Sequence, residues 1–262
     1  MVSLADCSEW LSALEPVVRE AGRIILNYRA QGFESELKSD KSPVTQADKA
    51  ADELIVAALL QLTPHIPIVS EEGSQEASVS ENGCFWCVDP LDGTKGFMRG
   101  ESEFTVNIGL IYEHMPVLGM IYIPAINQLY GGLAGGLAYR IWEDGAKQPI
   151  CVRAYPATGL HAITSSRHGS NKEQELRDEH GVTSFSSASS SLKFCRIAEG
   201  VADIYPRYGT TMEWDTAAGH AILRAAGGDV YDLDTKQPLR YGKPDFRNGQ
   251  FVAKKITPCD EQ

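Results

Sequence analysis

Apolar residues recur at helical spacing from the start of the chain. Trp10, Leu11, Leu14, Val17, Val18, Ile24, Ile25 and Tyr28 share one face, and the spacing predicts an amphipathic opening helix. The polar stretch 32–40 reads as hairpin-like or mobile. Thr45-Gln-Ala-Asp48 has the form of a capping box and starts a second helix that runs to about Leu62. Two short apolar runs, 66–69 and 85–88, read as strands, and each leads into acidic residues. The runs 104–112, 117–123, 128–132 and 137–142 are short, apolar or alternating, and separated by Gly, Pro or Asn, which predicts an antiparallel meander. The segment 149–159, rich in Pro, Ala and Gly, reads as a crossing between domains. Strands then alternate with helices. Strands are expected over 161–164, 182–185, 203–205 and 229–231, helices over 172–180, 192–200 and 216–226, and a last strand near 250–253. Gly181 and Gly227 stand where helix C-caps are expected. That rhythm predicts a largely parallel sheet in the second half. The expected class is α/β in the broad sense, with a mixed α+β domain over 1–148 and an α/β domain over 149–262.

Composition narrows the possible partners. The chain has 262 residues and a formal net charge of −11. Such a balance argues against a nucleic-acid polymer or an anionic membrane surface, both of which need basic stripes. A small polyanionic substrate stays compatible, because a bound metal supplies local positive charge. Cys84 and Cys87 form a C-x-x-C without a second pair to complete a zinc site, and on a strand they point to opposite faces. All six cysteines are expected to be reduced thiols. Gly131-Gly132 and Gly135-Gly136 read as turns, since no G-x-G-x-x-G opens a helix there. No segment like a signal peptide precedes the first helix and no apolar run approaches 18 residues, so a cytoplasmic protein without a transmembrane segment is expected; loose contact with the inner membrane face stays open.

Candidate chemistry centres on residues 86–96. Asp89 and Asp92 flank Pro90-Leu91, and Pro90 restricts both its own φ and the conformation of Asp89. A sharp turn there brings the carboxylates toward one point, where they repel unless a cation lies between them. Short acidic side chains suit Mg²⁺, a hard ion. Gly93 and Thr94 follow, and their N–H groups can open a short helix toward an anion. The competing reading is an Asp-Pro…Asp-Gly surface turn. Glu71 and Glu72 end the 66–69 run and alone would read as a solvated loop. Asp215, after Trp214, alone would read as a helix N-cap. Asp48 already has a structural task as a capping-box residue.

Asp48, Glu71-Glu72, Asp89-Pro-Leu-Asp-Gly-Thr94, Trp214-Asp215 and Gly227-Gly228, in that order, resemble the inositol monophosphatase superfamily of lithium-sensitive, Mg²⁺-dependent phosphomonoesterases. Lys41-Ser-Pro-Val-Thr-Gln-Ala-Asp48, Phe104-Thr-Val-Asn107, Ser190-Ser-Leu-Lys-Phe-Cys195, Ala198-Glu-Gly200, Tyr205-Pro-Arg207 and Trp214-Asp-Thr-Ala-Ala-Gly-His220 are similar to the bacterial 3′(2′),5′-bisphosphate nucleotidases within it. The similarity runs from the first helix to about Phe251. It implies a layered αβαβα sandwich of the sugar-phosphatase type and two to three Mg²⁺ ions, with inhibition by Li⁺ and Ca²⁺. By resemblance, the first ion takes Glu71, Asp89 and the carbonyl of Leu91. The second takes Asp89, Asp92 and Asp215, and a third, mostly hydrated, lies near Glu71 under the loop 38–42. Thr94 then orients the attacking water, Asp48 accepts the Thr94 proton, and the Gly93 and Thr94 amides hold the phosphate. The implied substrate is a small nucleotide, 3′-phosphoadenosine 5′-phosphate or its sulfated form, with AMP and phosphate as products of the former, in sulfur assimilation and nucleotide recycling. His168, Ser190, Lys193, Arg207 and Asp215 are the implied substrate contacts; the plain alternatives are a loop histidine, a solvated helix lysine and a surface arginine. Two rival functions remain. An inositol monophosphatase of the same fold shares every metal ligand, and a noncatalytic phosphate sensor would be expected to lack part of the set. Monomer and homodimer are both compatible with the sequence.

Overall fold

The chain opens with the helix Leu4–Gln31, whose Ser3 and Asp6 form a capping box. Its apolar stripe buries Leu14, Val18, Ala21 and Ile25 completely or nearly so. The second helix, Gln46–Leu62, starts at a capping box of Thr45 and Asp48, as the sequence predicts. The computed structural model describes residues 3–38, 43–73, 83–142, 144–165 and 176–256.

Both helices cover one face of a seven-stranded sheet. Its order is Ile68–Ser70, Phe85–Asp92, Thr105–Tyr112, Met115–Ile123, Gln128–Leu133, Ala138–Ile141 and Lys147–Pro149. Only the first pair is parallel; the rest is the expected meander. Lys147–Pro149 adds an edge strand at the start of the stretch read as a crossing. Two helices, Leu192–Ala198 and Ala217–Ala225, pack on the other face. Gly119 makes room for this layer, since a Cβ there would stand 2.2 Å from the Ala218 carbonyl oxygen. On their far side lies a five-stranded sheet, ordered Val182–Ser187, Leu160–Thr164, Ile204–Arg207, Phe251–Lys255 and Gly228–Asp232. Phe251–Lys255 runs against the other four, so the sheet is largely parallel. Residues 176–180 are helical, and Leu176 packs with Ala162, Val182 and Ile204 of that sheet. The result is a mixed α/β sandwich in αβαβα order.

Several boundaries differ from expectation. The strand from Phe85 does not stop at Val88 but continues to Asp92. The helices end earlier than 200 and 226, at Ala198 and Ala225. Within the stretch read as hairpin-like, Ser35–Leu37 pairs with Pro43–Thr45, while residues 39–42, most of the loop expected over the site, lie outside the described residues. Cys84 and Cys87 lie in the cores on opposite faces of the sheet, and the five described cysteines are in the reduced form. Among the described residues no helix is long and apolar enough to cross a membrane.

Candidate active site

A one-residue bulge aims the two central carboxylates. In the ladder with Thr105–Tyr112, Asp89 faces Asn107 and Asp92 faces Thr105, so three steps on one strand oppose two on the other. On a regular strand, residues three apart point to opposite faces. The extra residue reverses that alternation, which is the usual effect of a bulge. Phe85 and Cys87 contact the inter-sheet helices, whereas Leu91 packs on the outer-helix side with Trp86 and Val88. Asp92 therefore shares a face with Asp89, toward the helices that follow Ser191 and Asp215. Pro90 lacks an N–H to offer the ladder, and a bulge is one of the few places in a sheet that tolerates it. The turn expected from Pro90 is thus an irregularity within a strand.

Each surrounding residue has a definite anchor. Asp89 Oδ1 accepts the Leu91 N–H at 3.0 Å. Asp92 Oδ2 accepts the Ser191 N–H at 2.7 Å, and Asp215 Oδ2 accepts the Met212 N–H at 2.7 Å. Asp215 precedes its helix, but the N-cap is Thr216, which gives no side-chain cap. Gly93 is the N-cap of a five-residue helix, Thr94–Met98, at φ +94°, a conformation that favours glycine. A Cβ on Gly93 would stand 2.4 Å from Ser190 Oγ. Thr94 Oγ1 lies 3.1 Å from both Asp48 Oδ1 and the Leu91 carbonyl. The other oxygen of Asp48 accepts from the Thr45 N–H, at 2.8 Å, and from its hydroxyl. Asp48 thus serves the helix cap and the Thr94 hydroxyl at once. Glu71 follows the Ile68–Ser70 strand, and Lys38 Nζ reaches Glu71 Oε1 at 2.7 Å and Glu72 Oε1 at 2.6 Å.

The electrostatics describe a cluster short of positive charge. Burial pushes the Asp89 carboxyl well above the usual range, and the charges of Glu71, Asp92, Asp215 and Asp48 add to the effect. Asp215 is raised to about 8, first by burial and then by Asp92. Burial raises Asp92 and Asp48 as well. Glu72 rises to about 7 through burial, against the pull of Lys38. Lys38 is raised despite its burial, because Glu71 and Glu72 hold it charged. Among the described residues no three His, Cys, Asp or Glu groups form a ready-made metal cage. The side chains are instead turned onto the local donors just named. The donor set is all oxygen and mutually repelling, and an ammonium group already fills part of the cation's role. These residues fit a hard divalent cation.

The cluster opens into a cleft of about 550 Å³ whose lining includes Asp92, Gly93 and Asp215 at one side and Lys193, Tyr205 and Arg207 among the rest. Lys193 is 4% exposed and is no solvated helix lysine. Its Nζ donates to the Ser190 carbonyl at 2.6 Å and the Ala188 carbonyl at 3.3 Å, and burial lowers its pKa to about 8. Ser190, at φ +55°, places its hydroxyl 3.0 Å from the Asp92 carbonyl and 3.1 Å from that of Glu103. Arg207 reaches Ser165 Oγ at 3.3 Å, and its buried Nε has no partner among the described residues. His168 lies outside the described residues. Sequence reasoning did not single out Ser191 or the role of Asn107. Ser191 Oγ bonds Asn107 Oδ1 at 2.7 Å and Thr105 Oγ1 at 2.9 Å, while the buried Asn107 side chain helps to hold the Asp92 carboxyl down against the effect of burial. The available signal was an asparagine within an otherwise apolar run.

The family model described as the inositol monophosphatase family matches residues 6–259. The chain belongs to the inositol monophosphatase family. Members of that family are generally Mg²⁺-dependent. A relative from Escherichia coli O157:H7, named 3′(2′),5′-bisphosphate nucleotidase CysQ, is 42% identical over 230 residues, covering 86% of this chain and 91% of its own. The Salmonella typhimurium protein of the same name is 42% identical over 240 residues, covering 90% and 95%. The solved structure of CysQ from Bacteroides thetaiotaomicron superposes with a TM-score of 0.78 at 37% identity, covering 94% of this chain and 97% of that one. An inositol monophosphatase from Anabaena (Nostoc) sp. PCC 7120 shares the fold, with a TM-score of 0.73 at 24% identity over 97% of this chain and 93% of that one.

Proposed function

We propose that this phosphatase hydrolyses 3′-phosphoadenosine 5′-phosphate to AMP and phosphate, with the sulfated form as a second substrate. The carrying observation is a cleft lined both by the cluster carboxylates Asp92 and Asp215 and by Arg207, a cation whose buried Nε lacks a partner among the described residues. A substrate with two phosphates, one for the carboxylates and their metal and one for the arginine, matches that lining. The relatives named above add the name 3′(2′),5′-bisphosphate nucleotidase at 42% identity.

In this reading Glu71, Asp89, Asp92, Asp215 and the Leu91 carbonyl hold Mg²⁺. When bound, the ion neutralises phosphate oxygens and makes water a competent nucleophile near neutral pH. The protein's own groups do the rest. Thr94 orients water through its hydroxyl, and Asp48, 3.1 Å away, takes the hydroxyl hydrogen. The Gly93 and Thr94 amides face the phosphate. Arg207 holds the 5′-phosphate. Lys193, spent on the Ser190 and Ala188 carbonyls, shapes the loop behind Asp92 and adds charge.

Arg207→Met tests the substrate class. A charge-assisted contact to phosphate contributes about 1.5–3 kcal/mol, so kcat/KM for the bisphosphate should fall roughly 10- to 150-fold, mainly through KM. Hydrolysis of 3′-AMP, which lacks the 5′-phosphate, should be nearly unchanged. Lys193→Met should impair both substrates, since it loosens the Ser190 loop. Equal loss on both substrates for Arg207→Met, or faster turnover of an inositol phosphate by the wild type, would overturn the reading.

A further inference from the structure

Behind Asp215 lies a chain of buried polar side chains that the reading above leaves unused. His220, on the Ala217–Ala225 helix, places Nε2 against Asp229 Oδ1 at the start of the Gly228–Asp232 strand. Its Nδ1 is 3.0 Å from the Tyr241 hydroxyl, which lies 3.1 Å from Thr216 Oγ1. Asn248 Nδ2 donates to that same Thr216 oxygen at 3.0 Å and to the Met212 carbonyl at 2.9 Å. The Met212 N–H then donates to Asp215 Oδ2 at 2.7 Å. From Asp229 to Asn248, the five side chains belong to residues between 0 and 7% exposed.

The chemistry orders this chain. Burial acts against an ionised Asp229, yet the bonds from His220 and the Val230 N–H hold its carboxyl below the ordinary range. A carboxylate only accepts, so it takes the imidazole N–H at Nε2. Burial lowers the His220 pKa and favours the neutral ring, which leaves Nδ1 as an acceptor; the one hydrogen of the Tyr241 hydroxyl lies between Nδ1 and Thr216 Oγ1, both within reach. The ring cannot rotate without breaking both bonds in a place where water does not reach. Tyr241 is fixed from the other side too. The Glu213 carboxylate accepts the Gly242 N–H at 2.7 Å and the Lys243 N–H at 3.0 Å, which ties the loop after Tyr241 to the turn before Asp215.

We propose that Asp229, His220 and Tyr241 are positioning residues for Asp215: together they fix Thr216 and the turn from Met212, and so aim the Asp215 carboxylate into the acidic cluster. The inference rests on the reading of Asp215 as a Mg²⁺ ligand. A plain core network would stabilise the fold without bearing on metal binding, and the two are separable.

Tyr241→Phe removes one oxygen and keeps the ring. The full-length protein, freed of metal with EDTA and exchanged into chelator-free buffer, is titrated with Mg²⁺ alone by calorimetry, and its melting temperature is followed against Mg²⁺ concentration. Loss of a group that orients a metal ligand weakens binding on the order of 10- to 100-fold, and the lower part of that range is expected here because Asp215 is one ligand of several. Thr216→Val cuts the chain at its other end, should have the same effect, and serves if Tyr241→Phe does not fold. In an Asp215→Asn background neither change should weaken Mg²⁺ binding further. A lowered melting temperature with unchanged Mg²⁺ affinity in both variants, or full additivity with Asp215→Asn, overturns the proposal. If Asp215→Asn alone leaves Mg²⁺ binding intact, the ligand reading itself has failed and the positioning role falls with it.

Discussion

Asp92 joins both halves of the site through one carboxylate. It takes the Ser191 N–H from the inter-sheet layer while facing the same side as Asp89. Asp92→Asn keeps an oxygen for Ser191 and removes one charge from a cluster that burial and like charge already disfavour. We expect unchanged far-UV circular dichroism and an unchanged or higher melting temperature without metal. With saturating Mg²⁺, kcat should drop at least about tenfold, the lower end of what weakening a metal site costs. A variant above about a tenth of wild-type kcat would exclude Asp92 as a ligand. At this scale the sequence was informative where residue type alone carries chemistry, as with Asp89, Asp92 and the capping-box Asp48. It was silent on Ser191, because the group in use there is a backbone N–H that any residue but proline supplies. It was also silent on what Lys193 does, since burial depends on neighbours distant in sequence.

Ser189, Ser190 and Ser191 form a clasp that joins the second half of the chain to the bulged strand. The Ser189 N–H donates to Glu103 Oε2 at 2.8 Å, the Ser190 hydroxyl meets the Asp92 and Glu103 carbonyls, and the Ser191 N–H meets Asp92. Gly93 is the surface on which this clasp closes. Gly93→Ala combines a left-handed backbone, a cost of about 1–2 kcal/mol for a residue with a Cβ, with a Cβ 2.4 Å from Ser190 Oγ. Activity should fall sharply while the fold is retained, and the melting temperature should fall by roughly 2–4 °C per kcal/mol. Wild-type activity in Gly93→Ala would show that the clasp does not bear on the site. The element types were legible, because helical and alternating periods are strong along this chain. The end of the Phe85–Asp92 strand was not, since Pro90 ordinarily breaks a strand and only the partner strand reveals the bulge that accommodates it.

For the molecule as a whole, the acidic site sets how stability varies with pH. Burial, and then the Asp92 charge, raise the Asp215 carboxyl from the ordinary carboxylate range, about 3.8, to about 8 in the folded protein. Between those values the metal-free folded state keeps a proton that the unfolded state releases, so stability falls as pH rises through that window. Asp89 and Asp92 act in the same direction. With EDTA, the melting temperature should drop from pH 5.5 to pH 8, by roughly 2–4 °C for each kcal/mol of linkage. With Mg²⁺ in place of the protons the drop should shrink or reverse. A metal-free protein more stable at pH 8 would contradict this electrostatic picture. The layer order of the sandwich could be reached only through resemblance, because periodicity reports which face is apolar and not what covers it. The bulge at Pro90-Leu91 has a consequence for how this site can vary among descendants. The direction of Asp92 is set by its pairing across the ladder, not by any one side chain between it and Asp89. A substitution there alters packing, and deletion of a single residue would leave two steps against two, a regular ladder in which Asp92 still faces Thr105 and the side of Asp89; only straightening the strand at its full length would turn the carboxylate to the opposite side of the sheet. Near this site, what lineages must keep is the pairing of Asp89 with Asn107 and of Asp92 with Thr105, whichever residues lie between.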